Sequence, residues 1–169
     1  RSEMTEITHA FSYPEISFLQ QAKLQAQVIV PVLRALRERL GVKEANTLVA
    51  EALRDWSREQ FRRAAEAAGG AGLESWAPVW ENGFAKIGDG FELDVLRHDE
   101  YAQDFNVTRC PYAEFFRALD EPELGAILMC EADIYLAEEI GGDDVEFSRT
   151  RTIMNGAEYC DFRIRMRRD

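Results

Sequence analysis

Cysteine is scarce in this chain of 169 residues, with three thiols at positions 110, 130 and 160. An odd number cannot all pair within one chain, and intervals of 20 and 30 residues contain no C-x₂₋₄-C of the structural zinc kind. Such usage fits a reducing compartment, where a thiol is buried, metal-bound or catalytic rather than bridged. Histidine is scarcer still, at His9 and His98 alone. No apolar run reaches the ~18–20 residues of a membrane span, and Arg1-Ser2-Glu3-Met4-Thr5-Glu6 lacks the basic patch and apolar block of a secretory signal. The expectation is a soluble cytoplasmic protein without a membrane partner. Positive charge is also in deficit: 20 Lys and Arg against 31 Asp and Glu leave −11, which repels polyanions and argues against nucleic acid. There is no phosphate-cradling glycine loop, no G-x-S-x-G and no H-E-x-x-H.

What is present suits one domain over residues 1–169, with a mainly helical part at 9–87 and a hairpin–helices–hairpin part at 88–169. Ser12 and Pro14 read as the cap and first turn of a helix that runs to Leu40 and stops at Gly41. Pro31 inside it predicts a kink or break near Val30. Ala45, Leu48, Val49, Ala52, Leu53 and Trp56 have the spacing of one helical face, and that second helix ends at Gly69-Gly70. Residues 73–87 carry Trp76, Trp80 and Phe84 as aromatic anchors of a short helix. Alternation at Phe91–Leu96 and Phe105–Thr108 predicts two strands that turn near Asp99-Glu100.

Pro111–Leu119 and Glu123–Glu139 read as helices. Val145–Met154 and Glu158–Arg167 read as a hairpin turning at Asn155-Gly156-Ala157. That register sets Cys160 against Thr152, Asp161 against Arg151 and Arg163 against Arg149, with Cys160, Phe162, Ile164 and Met166 sharing the helix-facing side with Ser148, Thr150 and Thr152. The arginines and Asp161 then fall on the outer face as cross-strand ion pairs. The fold class is α+β: N-terminal helices followed by a ββααββ section with a largely antiparallel sheet.

The local context richest in chemistry is Thr108-Arg109-Cys110-Pro111-Tyr112. With Pro111 at the first helical position, Cys110 is the N-cap, where free N–H groups and the helix dipole favour a thiolate, and Arg109 adds positive charge. For an average cysteine, a small buried residue at a strand-to-helix corner is the plainer reading. His98 lies at the far end of the predicted hairpin from Cys110, roughly 23 Å away at ~3.3 Å per residue, so proton handling falls to a carboxylate. Cys130 and Asp133 are three apart on one helix and share a side, although Cys130 also fits a core stripe with Leu124, Ile127 and Ile134. Cys160 reads first as a strand core residue. Convergence of Cys110, Cys130 and Cys160 on one zinc ion is the minority alternative to a cofactor-free site.

Three ordered blocks also carry a family likeness. Phe105-Asn106-Val107-Thr108-Arg109-Cys110-Pro111-Tyr112 runs on to Phe116. Glu123-Leu124-Gly125 leads to Cys130-Glu131-Ala132-Asp133. Arg149-Thr150-Arg151-Thr152 is followed by Tyr159-Cys160-Asp161-Phe162-Arg163. Over about residues 104–165 the chain resembles the L-2-amino-thiazoline-4-carboxylic acid hydrolase family. The resemblance implies a small cytoplasmic hydrolase that opens the thiazoline ring of a cysteine-derived acid to a carbamoyl-cysteine product. Its motif residues fall here on Arg109, Cys110, Tyr112, Cys130, Asp133, Thr150, Thr152, Cys160 and Asp161.

Together these readings make Cys110 the expected nucleophile, Asp133 the acid/base or amidinium anchor and Arg109 the carboxylate clamp. Tyr112, Cys130, Thr150, Thr152, Cys160 and Asp161 are then substrate-binding. The expected partner is a small carboxylic acid substrate. Two alternatives stand beside it: a non-catalytic small-molecule-binding domain, zinc-bearing in one form and similar to vinyl-reductase-type ligand-binding domains, and a protein that pairs with a partner or a second copy through the Trp76, Trp80 and Phe84 face.

Overall fold

The computed structural model describes residues 16–79 and 90–167. Helix α1, Phe18–Leu40, begins at Ser17, whose hydroxyl accepts the Gln20 N–H while the Gln20 side chain accepts the Ser17 N–H at 2.8 Å. This capping box satisfies two of the donors that a helix start leaves unpaired. The expected cap and first turn at Ser12 and Pro14 lie outside the described residues. No break occurs at Pro31, which is exposed, so the carbonyl it leaves unpaired can turn to water. At Gly41 a positive φ of 85° reverses the chain into α2, Val42–Ala67.

The helices meet through Ala26, Val30 and Leu33 of α1 and Ala45 and Val49 of α2, while Ala65 near the end of α2 is buried in the core under the sheet. Leu48 and Trp56, expected on the inner face, stand about half exposed. Residues 73–79 are helical and bury Trp76; Trp80 and Phe84 lie outside the described residues.

Strands β1, Glu92–His98, and β2, Ala102–Arg109, pair antiparallel about a turn that Asp99 organises by accepting the N–H groups of Tyr101 and Ala102. After β2, Pro111 opens α3, Pro111–Ala118. Helix α4 spans residues 122–141 as α-helical Pro122–Gly125, π-helical Ala126–Cys130, α-helical Glu131–Leu136 and π-helical Ala137–Gly141. Each wide turn holds an extra residue and rotates the side chains beyond it about the helix axis. Consequently Tyr135, rather than the expected Ile134, points inward, and Ile134 is exposed.

Strands β3, Val145–Ser148, and β4, Cys160–Met166, complete an antiparallel sheet of order β1-β2-β4-β3. The α+β architecture therefore stands. The expected hairpin register does not: Ser148, not Arg149, faces Arg163, and Phe147 faces Ile164. A one-residue offset reverses the faces. Val145 and Phe147 join Cys160, Phe162, Ile164 and Met166 on the helix side, while Ser148 goes outward. Pairing also ends at Ser148, so residues 149–159 form a loop containing a short 3-10 turn, Ile153–Asn155. Cys160 pairs with Val107 of β2 instead of Thr152.

One core lies under the sheet around Phe105, Val107, Ile140, Cys160 and Ile164. A second joins the helical pair to α3 and α4 through Leu33, Val49, Phe116, Leu124 and Met154. Cys110 and Ile153 touch both. In the second core Gly125 permits a close helix crossing: a Cβ there would stand 2.7 Å from the Phe116 Cβ and 2.7 Å from the Met154 Sδ. The thioether can swing aside, but a Cβ bonded to the backbone cannot. Gly125→Ala should therefore lose ~1–3 kcal/mol in urea unfolding, the cost of overpacking a filled contact.

Candidate functional site

Cys110 sits where β2 hands over to α3, with extended backbone at φ −128° and ψ 103°, and is the N-cap of that helix. Burial pushes its thiol up to about 11; the Ala113 and Tyr112 N–H groups pull back and are outweighed. The helix terminus is thus present as expected, but its preference for a thiolate is smaller than the desolvation cost. Arg109, the next residue back, is exposed and held by Glu114 at 2.7 and 3.3 Å.

From α4 come Cys130, at the end of the first π-helical turn, and Asp133, three residues on in regular α-helix. Burial pushes the Cys130 thiol up to about 12, against the pull of Arg149. Asp133 is raised above the ordinary carboxylate range by burial, with Arg149 again opposing through its charge and hydrogen bond. It lies among many protein atoms, yet 37% of its side chain remains open to solvent. Its negative charge helps to raise Cys110, Tyr112, Cys130 and Cys160. Cys110 interacts likewise with Cys160, and Cys130 with both. In the packing, Cys110 borders both cores, with Cys160 in the first and Tyr112 and Cys130 against the second.

Tyr112 is half-buried, its ring edge-on to Phe91 at 5.2 Å between centroids. Cys160 is buried, raised chiefly by that burial, and its Sγ accepts the Ile153 N–H at 3.1 Å. Thr152 is buried and caps the 3-10 turn by accepting the Asn155 N–H at 3.2 Å.

Thr150 is exposed, and Asp161 is engaged within the loop. One Asp161 oxygen accepts the N–H groups of Thr150 and Arg151 at 2.9 and 2.8 Å, and the other accepts the Thr150 hydroxyl at 2.6 Å. Burial would raise Asp161, but these hydrogen bonds prevail and hold it below the usual range. The expected cross-strand pairs are therefore replaced: Arg151 lies over Tyr159 at 5.1 Å, and Arg163 donates to the Phe105 and Phe162 carbonyls and to Asn106.

The residue that sequence reasoning put on the wrong face is Arg149. Its side chain is only 7% exposed. It donates to the Asp133 carboxylate at 2.6 Å and to the Cys130 carbonyl at 2.6 Å, with its guanidinium over the rings of Phe162 and Phe147 at 5.0 and 5.5 Å. The signal that could have found it is the apolar alternation Val145, Phe147 ending at Ser148, which marks where the strand stops.

Among the described residues, no three His, Cys, Asp or Glu side chains are arranged to hold a metal ion. Two surface grooves, of about 360 Å³ beside Pro31 and Phe115 and about 530 Å³ beside Asn46 and Glu131, are lined by none of the three cysteines. No helix among the described residues is long and apolar enough to cross a membrane.

The fold defines an α+β protein, with Cys110 at its strand-to-helix corner. The chain belongs to the L-2-amino-thiazoline-4-carboxylic acid hydrolase family, whose sequence profile matches residues 21–164. The likeness thus reaches beyond the cysteine blocks into α1 and α2. No curated protein shows significant similarity to the chain.

Proposed function

We propose that the protein is a small hydrolase that opens a cyclic isothiourea or amidine-type ring of a small carboxylic acid. The observation that carries this reading is one part-exposed carboxylate, Asp133, held at 2.6 Å by the Arg149 that also binds the Cys130 carbonyl, on the helix that packs against the same core as Cys110 and Tyr112. Burial raises the proton affinity of Asp133, which makes it a stronger proton acceptor than a free carboxylate. Asp133 takes the Cys110 proton as the sulfur attacks the amidine carbon, and the ring C–S bond breaks, with the leaving sulfur taking the proton from Asp133. Water then adds to the resulting isothiourea, giving a proton to Asp133, and Cys110 departs and recovers it. The net change is one water added, yielding a urea that bears a free thiol. In this reading Tyr112, Cys130 and Cys160 surround the bound ring. A reducing cytoplasm would keep the three thiols free.

A non-catalytic binding role is the second reading, favoured by thiols whose raised values keep them neutral near pH 7. The test is to incubate the purified protein with 2-amino-thiazoline-4-carboxylate and related cyclic isothioureas and amidines, following products by mass spectrometry. Turnover should give a product heavier by one water and carrying a new thiol. Binding of these compounds without turnover would overturn the hydrolase and leave the binder.

A further inference from the structure

A buried guanidinium that spends its donors on one carboxylate and one main-chain carbonyl fixes both. We infer that Arg149 is the positioning residue of the site: it holds the Asp133 carboxylate against the thiols, and Asp161 locks the loop that delivers it. This rests on the reading of Asp133 as proton acceptor. Arg149 has just left β3, so no strand ladder fixes its backbone. The next two residues are instead tied by three hydrogen bonds to Asp161 of β4. Its planar head is held between Asp133, the Cys130 carbonyl and two aromatic rings. Asp133 thereby gains a fixed rotamer and a cation that favours its charged form. The other groups whose charges interact with it are Cys110, Tyr112, Cys130 and Cys160, which are neutral or negative and cannot replace that cation.

The test reads Asp133 directly, without substrate, through the ¹³C carboxyl resonance of labelled aspartate, assigned by its loss in Asp133→Asn. Arg149→Gln should move its titration midpoint upward by at least about one pH unit, a tenfold gain in proton affinity. Arg149→Lys, which keeps the charge but not the fork, should move it less, and Asp161→Asn should move it in the same direction by loosening the loop. A merely structural Arg149 would lower the unfolding temperature and leave the midpoint where it was. A midpoint in folded Arg149→Gln within about 0.3 units of wild type overturns the inference; should that variant not fold, unchanged midpoints in both Arg149→Lys and Asp161→Asn do so. Because no turnover is needed, failure of the hydrolase reading would show separately, in the ring-opening assay.

Discussion

Cys110→Ala should abolish ring opening, with kcat falling by on the order of 10⁴ or more, because a reaction that forms a bond to a nucleophile loses its whole path with that atom. The three cysteines separate by where they sit. Cys130 and Cys160 carry no bond-forming role, so alanine at either should cost roughly tenfold through pocket shape and lost packing. Cys160→Ala should also lower stability by about 1 kcal/mol, since it leaves the buried-side Ile153 N–H without its sulfur acceptor. Equal, near-complete losses for all three cysteines would contradict the assignment. The pH profile supplies a second check. The base must be ionised, so activity should rise with pH through the Asp133 midpoint, and burial places that rise above the ordinary carboxylate range. Asp133→Asn should remove that acid limb together with most of the activity, a result read from initial rates across pH on protein verified as folded.

The parts of the fold that local pattern encodes were legible. The stop at Gly41 located the end of the first helix, apolar spacing located the second, alternation located β1 and β2, and Cys110-Pro111 marked a strand-to-helix corner that is present with Cys110 at its cap. The motif blocks around Cys110, Cys130 and Cys160 lie on β2, α4 and β4, and Cys110 borders both cores. What was not legible depends on geometry between segments. A turn centred on Asn155-Gly156 looked like the apex of a long hairpin, but β3 has only four residues and the chain closes through an 11-residue loop held by side chains. Register then slipped by one, which is why Arg149 was read as an outer residue although it is the buried partner of Asp133. The first wide turn of α4 likewise shifts Ile134 outward, because a count of 3.6 residues per turn has no place for an inserted residue. Thiol behaviour was the third case: a helix N-cap predicts activation, yet only coordinates show how thoroughly Cys110 is desolvated.

Glu121→Ala should destabilise the protein by ~3–5 kcal/mol, a large share of the ~5–15 kcal/mol that holds a domain of this size. Glu121 is 2% exposed at the entry to α4 and accepts from Arg34 Nε at 2.8 Å and Arg37 Nη1 at 2.6 Å, so it fastens α1 to the turn between α3 and α4. The two arginines are not equivalent. Arg34 is 53% exposed and can turn its charge to water, contributing little. Arg37 is 17% exposed and also donates to Asn46, so it stays in place and is left as a half-buried cation with only the exposed Glu123 carboxylate, 3.8 Å away, to offset it. Most of the loss is that penalty, rather than the worth of the pair. It follows that Glu121→Leu combined with Arg37→Met should recover much of the stability, since removing both charges removes the penalty. Urea unfolding midpoints at constant slope measure both. A loss under about 1 kcal/mol in Glu121→Ala would mean that Arg37 is already solvated in the native state. The anchor also bears on the site, because Cys130 and Asp133 lie further along the same helix: a variant that frees the start of α4 should blur the Asp133 titration as well as lower the unfolding midpoint.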